Sequence, residues 1–359
     1  MILVLTCCLV TAVPDGYDLQ RVVNDAVAQG TKRIDLPAGV IRIPKNIRIQ
    51  NATDLELSGP QTTLLFSAHN LVGLSIYGCR GLTLTGFTLD WDPLPFTQGT
   101  ITAVDPEGKW FDFEIHAGYP DLTQDYFEKH ANVFEADQPR WKRWVPDLYP
   151  RSLEIADPRH GRLTFGGAIK FHQLLQPGDR VVLNKRVGCG IRMDNCEDVT
   201  VRGLTLLTAP GGALLGRYMR GRNTFSYDIK PGPPPPGATQ PRLMSTCADG
   251  FNYAFATQGP ILEDCHFSFM GDDSVNLHGA CLAVVEAKSP TELLVAWPYS
   301  TESLPTVMPA GSTIRRLRQV TYEVLGTAKL VSFEPLKDKT PVQQALIDGL
   351  EPSKKRVAT

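Results

Sequence analysis

Two short stretches hold side chains whose types and spacing could do chemistry. Residues 269–279 read FMGDDSVNLHG and set Asp272 beside Asp273, with His278 five residues further on. Residues 241–251 read PRLMSTCADGF and hold Arg242 and, seven residues later, Asp249. Adjacent carboxylates repel each other. The cost is tolerable if they shift one another's pKa, so that one keeps its proton while another stays ionised. Cleavage of a glycosidic bond needs that division of labour: one carboxylic acid protonates the leaving oxygen, and a carboxylate activates water or attacks. Neighbours on a regular strand point to opposite faces, so Asp272 and Asp273 share the solvent face only if the strand bends. Gly271 is the candidate bend. The plainer alternative is that one aspartate faces out and the other caps a turn.

Other residues near these stretches have two readings each. His278 could bind a substrate hydroxyl or tune an aspartate, or it could be structural. Arg242 could pair with a carboxylate, bind sugar hydroxyls, or lie solvated on the surface. Trp91, Phe96, Phe251 and Tyr253 flank the acidic segments. Exposed aromatic faces stack on sugar C–H surfaces, but core packing is the commoner fate of such a ring. The cysteines stand at 7, 8, 79, 189, 196, 247, 265 and 281. None forms a CxxC pair or a zinc-like spacing, so no metal site is expected.

The elements that must position these groups are strands. Gly 31 and Pro 28, with short apolar runs, point to many strands joined by tight turns. The segments NATDLELSG (51–59), GCRGLTLTGFTLDW (78–91) and NCEDVTVRGLTLLT (195–208) align on Asp54, Gly81 and Asp198, with a degenerate copy at QGPILEDCHFSF (258–269). Period-2 strands at fixed turn positions are the signature of a β-solenoid, in which each unit buries its inner face by stacking on the next. Asp249 and Asp272 are 23 residues apart, which fits one coil, and coils stack about 4.8 Å apart. Cys79 and Cys196 share an alignment position and are expected as stacked core residues.

The expected fold is all-β, a right-handed parallel β-helix with two small β-barrel-like insertions. An N-terminal stretch (13–92) holds the first coils and a capping helix over Asp18–Ala28, stopped by Gly30. An insertion follows at 93–186. Coils carrying the carboxylates occupy 187–280, a second β-rich insertion 281–335, and a tail 336–359, with a small helix expected over 341–350. The PGPPPPG run (231–237) is too stiff for a core strand and reads as an exposed loop.

The formal net charge of −2 does not suggest a nucleic-acid partner. Residues 1–12, MILVLTCCLVTA, are too short to span a bilayer. They read either as a signal-peptide remnant without its basic n-region, implying export to the periplasm or beyond, or as a buried first strand.

The sequence resembles the pectinase-like β-helix hydrolases and, more closely, glycoside hydrolase family 110, the bacterial α-1,3-galactosidases. DWDPLPFTQGTI (90–101), PRLMSTCADGF and FMGDDSVNLHG carry the resemblance. It covers roughly residues 15–335 and is loose outside the three motifs. The resemblance implies an inverting exo-glycosidase acting on terminal α-1,3-linked galactose of glycans, with no metal or organic cofactor and no stable membrane association. Asp249, Asp272 and Asp273 would be the catalytic carboxylates, with Asp272 as general acid and the other two sharing the activation of water. Substrate-binding candidates are His278, Arg242, Trp91 and Tyr253. The sequence departs from the family pattern at Cys247, where a polar residue is expected, and in DDSVN. Relatives also continue with further coils beyond the second insertion. Alternatives on the same fold are a polygalacturonase-like hydrolase and an inactive glycan-binding protein; three carboxylates would repel the anionic sugar that a lyase takes.

Overall fold

The computed structural model describes residues 13–68, 70–279, 281–296, 308–334, 336 and 338–349. The apolar run at 1–12 and the final residues 350–359 lie outside it. The chain divides into two units, Met1–Leu277 and His278–Thr359.

The first unit is built of parallel strands that recur in a fixed order. One ladder runs Ile47–Gln50, Leu74–Tyr77, Cys189–Asp194, Gly212–Arg217, Phe251–Ala254, Val275–His278. A second pairs Arg33–Asp35, Glu56–Ser58, Thr83–Thr85, the first half of Thr200–Leu206, Thr224–Ile229 and Ile261–Leu262. A third begins with Gly39–Ile43, Thr62–Phe66 and Thr88–Trp91 and continues through the second halves of Thr200–Leu206 and Thr224–Ile229 to His266–Phe267. From the strand Ile47–Gln50 onward the chain visits these ladders in turn, an arrangement consistent with a β-helix.

The turns explain the alignment seen in the sequence. Asn51 and Asp54 have left-handed backbones, as do Gly78 and Gly81 one repeat later and Asn195 and Asp198 in the next. Asn, Asp and Gly tolerate that region best, so these residue types recur at the corner. A Cβ at Gly81 would lie 2.6 Å from Asp54 Oδ1, so the Asp54 side chain would have to shift to admit one. Between the ladders lies an apolar core in which Leu55, Leu82 and Val199 are fully buried. Cys79 and Cys196 stack in it, 1 % and 0 % exposed. The helix Leu19–Gln29 packs beside the first repeats. Asp18 caps its start by accepting from the Arg21 N–H, and Gly30 closes it at φ 67°.

Between Trp91 and Cys189 the chain leaves the ladders. It forms a six-stranded antiparallel sheet in the order Ala131–Phe134, Arg180–Asn184, Phe96–Val104, Trp110–Ile115, His160–Thr164, Ser152–Ile155. The sheet has its own apolar core, which takes in Leu243, Met244 and Cys247 from the segment leading to Asp249. Burial there accounts for an apolar residue at 247. The Pro-rich run 231–237 has no regular structure.

The second unit, described by itself, contains two antiparallel hairpins, Ala283–Ser289 with Glu292–Ala296 and Thr313–Leu317 with Val324–Lys329. Its helix Pro341–Asp348 starts with a capping box between Thr340 and Gln343. Among the described residues no helix is long and apolar enough to cross a membrane.

A fully buried Asn223 ties neighbouring repeats together. Its Oδ1 accepts from the Val199 N–H at 3.0 Å, and its Nδ2 donates to the Arg220 carbonyl and the Tyr253 hydroxyl. Asn223→Ala strands these groups without water, so urea unfolding of the variant should show a loss of about 1–3 kcal/mol. A change within about 0.5 kcal/mol would contradict the assignment.

Candidate active site

The site forms where three segments end close together. Gly250 and Phe251 N–H groups donate to the carbonyls of Asp273 and Ser274, at 2.8 and 3.0 Å. In a parallel ladder that register sets Asp249 level with Asp273 and Asn252 level with Asn276. On the other side, Ala213 N–H donates to the Asp249 carbonyl. Leu214 pairs with Phe251, so Gly212 lies under Asp249. A Cβ at Gly212 would meet the Leu215 side chain at 2.7 Å.

Each of two aspartates is held by the asparagine three residues on. Asn252 Nδ2 donates to Asp249 Oδ2 at 2.6 Å, and Asn276 Nδ2 to Asp273 Oδ2 at 3.0 Å. The side chains of Asp272 and Asp273 are both exposed, because residues 271–274 precede the strand rather than alternating within it. Gly271 is required for close approach: a Cβ there would lie 2.5 Å from the Cys247 carbonyl oxygen. The Asp273 N–H donates to Asp272 Oδ1 at 3.1 Å.

Arg186 enters from the antiparallel sheet and pairs through Nη2 with Asp272 Oδ2. Asp249, 9 % exposed, has its carboxyl raised above its ordinary range. Burial is the main cause. The Asn252 hydrogen bond opposes it, the charges of Asp272 and Asp273 add to it, and Arg186 opposes it. Asp249, Arg186 and Asn252 line a cavity of about 190 Å³ floored by Gly188, Gly211 and Gly212. A larger cavity of about 810 Å³ lies at the helix Leu19–Gln29. No carboxylate lines it, whereas Asp249 lines the smaller one. Among the described residues no group of three or more His, Cys, Asp or Glu is placed to hold a metal ion.

The substrate-binding candidates fall elsewhere. Trp91 is 1 % exposed and stacks on Phe66 at 4.6 Å, so its ring offers no face to a sugar. Tyr253 is buried, stacked on Phe251, with its hydroxyl used by Asn223. Arg242 is 6 % exposed and grips Asp90 with two hydrogen bonds of 2.8 and 3.0 Å. The pair fastens the segment before Asp249 to the strand Thr88–Trp91. Gln98 fastens it again, donating to the Pro241 carbonyl and accepting from Leu243 N–H. His278 opens the second unit, exposed at the end of its strand. Sequence reasoning missed Arg186, which has no motif around it, and Asn252 and Asn276. The repeated Asp-x-x-Asn in DGFN and DSVN was the signal for the last two.

Fold and site together define a class: a parallel-β repeat protein with three convergent carboxylates at the end of one ladder. No protein-family model matches the chain. It is 22% identical over 316 residues to alpha-1,3-galactosidase B of Bacteroides thetaiotaomicron, a match covering 81% of this chain and 49% of that protein. It is 22% identical over 250 residues to alpha-1,3-galactosidase A of Shewanella woodyi, covering 65% of this chain and 40% of that protein. These relatives bear out the resemblance to the α-1,3-galactosidases of glycoside hydrolase family 110 that the three motifs carry. The chain spans about half the length, or less, of the curated relatives it matches. Among solved structures, a Parabacteroides merdae protein proposed to be a glycosyl hydrolase matches with a TM-score of 0.35 and 11% identity, over 75% of this chain and 88% of that one. PfbA, a surface adhesin of Streptococcus pneumoniae, matches with a TM-score of 0.23 and 11% identity, over 68% of this chain and 48% of that one.

Arg242→Met would leave Asp90 buried and unpaired. Denaturant titration should show a loss of about 3–5 kcal/mol. Near-wild-type stability would show that the segment before Asp249 is held by other contacts.

Proposed function

We propose that the chain carries the catalytic site of an inverting exo-glycosidase that removes terminal α-1,3-linked galactose from glycans, built on a right-handed parallel β-helix. The observation that carries this reading is the convergence of three carboxylates: Asp249 lines a small cavity, Asp273 stands level with it on the neighbouring strand, and Asp272 adjoins Asp273. Asp249 is buried, and that burial raises its carboxyl above the ordinary range. Asp272 is ion-paired with Arg186, and Asp273 is exposed. Asp249 alone of the three lines the cavity, while Asp272 is engaged by Arg186, so the geometry favours Asp249 as the general acid, in place of the Asp272 expected from sequence.

In the proposed step, Asp249 gives its proton to the glycosidic oxygen as the bond from that oxygen to the anomeric carbon breaks. Asp272, with Asp273 beside it, takes a proton from a water that attacks the anomeric carbon from the opposite face. The products are the shortened glycan and galactose of inverted configuration, and both protons are accounted for. A small cavity suits one terminal sugar better than the interior of a long chain, which supports exo action. The names of the two curated relatives support galactose and the α-1,3 linkage.

The division of roles is tested by leaving-group dependence. Asp249→Ala should keep most of its rate on a dinitrophenyl galactoside, whose leaving group needs no proton, and lose about 10²–10⁴-fold on α-1,3-galactobiose. Asp272→Ala should fail on both, and added azide should restore turnover by forming a galactosyl azide. The reverse pattern would assign the acid to Asp272; no cleavage of either substrate by the unaltered chain would sink the glycosidase reading.

The acid also sets the alkaline limb of the pH profile, since activity is lost as pH rises through its pKa. Asn252→Ala removes a hydrogen bond that favours the ionised form, so the Asp249 pKa rises and this limb should move to higher pH. A limb that stays put, or moves down, would mean that Asp249 is not the acid.

A further inference from the structure

We infer that Asp147 and His130, both from the antiparallel insertion, are positioning residues that hold Arg186 against Asp272. The catalytic consequence rests on the glycosidase reading; the arrangement itself does not.

Arg186 stands just past the strand Arg180–Asn184, where the chain returns to the parallel ladders. Its φ of 45° is uncommon for a residue with a side chain. Such strain persists only where the surroundings fix it, and it is a pointer to function. Its guanidinium has a carboxylate at each end of the fork. Nη2 meets Asp272, and Nη1 lies 3.9 Å from Asp147 Oδ2. A planar fork with one partner can turn about that contact; the attraction of a second carboxylate at the other nitrogen opposes that turning.

Asp147 is itself fixed from behind. Asn132 Nδ2 donates to its Oδ1 at 2.8 Å, and His130 Nε2 lies 3.3 Å from its Oδ2, within ion-pair reach but not aligned for a hydrogen bond. His130 is 3 % exposed, and Asn184 Nδ2 stands 3.3 Å from its Nδ1 and 3.2 Å from Asn132 Oδ1. Burial works against charge on Asp147, yet His130 and Arg186 hold its carboxyl below the ordinary range. A connected line of polar contacts therefore runs His130, Asp147, Arg186, Asp272. Neither His130 nor Asp147 touches the cavity, so their influence passes through Arg186.

The test compares Asp147→Asn, Arg186→Met and the double variant with the unaltered chain, with circular dichroism confirming the fold. In ¹⁵N spectra, the Arg186 Nη–H signals should be resolved in the unaltered chain and collapse by rapid exchange in Asp147→Asn. On α-1,3-galactobiose, Asp147→Asn should lower kcat about 10- to 100-fold while KM changes less than about two-fold. In the Arg186→Met background the same substitution should add less than about two-fold. Persistence of the Nη–H signals in Asp147→Asn, or a full further loss on top of Arg186→Met, overturns the proposal. Absence of cleavage by the unaltered chain overturns the catalytic role and the glycosidase reading together, while the spectra still decide whether Asp147 holds Arg186.

Discussion

The register between Gly250–Phe251 and Asp273–Ser274 is the constraint on which the site depends. Two backbone hydrogen bonds bring Asp249 level with Asp273 and Asn252 level with Asn276. A slip of one residue would turn alternate side chains to the other face and separate the carboxylates. The register is protected from both sides. Gly250 and Gly271 admit neighbouring carbonyls at distances no Cβ could share, and the inward residues Phe251 and Tyr253 are locked in the core. The like charges are thus held together by backbone pairing and packing, which they do not themselves favour.

The antiparallel insertion contributes to the same constraint. Its core buries Leu243, Met244 and Cys247, its Gln98 grips the Pro241–Leu243 backbone, and the buried Arg242–Asp90 pair fastens the same segment to the parallel strands. It also supplies Arg186, the cation that meets Asp272. Fold and electrostatics therefore meet at one junction, where the chain crosses from the insertion back to the ladder.

Much of this was legible in the sequence because it is local. Corner residues such as Asn51, Gly78 and Asn195 recur at fixed positions since the left-handed backbone there restricts residue type. The alternating strands followed from the same repeat, and the first helix from its apolar spacing and the stop at Gly30. Asp249, Asp272 and Asp273 stood out because like charges at that spacing need a reason. Long-range partners left no such mark. The Arg186–Asp272 contact joins residues far apart in sequence, and nothing around Arg186 repeats or alternates. Trp91 and Tyr253 look the same in sequence whether a ring faces a sugar or a core; only the packing of Phe66 and Phe251 against them decides. Arg242 had a carboxylate partner among its possible fates, but Asp90 could not be chosen from spacing.

The central claim is that these carboxylates act on a sugar through a single displacement by water. Its most direct measurement follows the anomeric proton signals of galactose released from α-1,3-galactobiose by the purified chain, recorded before mutarotation. The account predicts that β-galactose appears first. First appearance of α-galactose would contradict it, because that outcome requires a covalent intermediate and a nucleophile in place of an activated water.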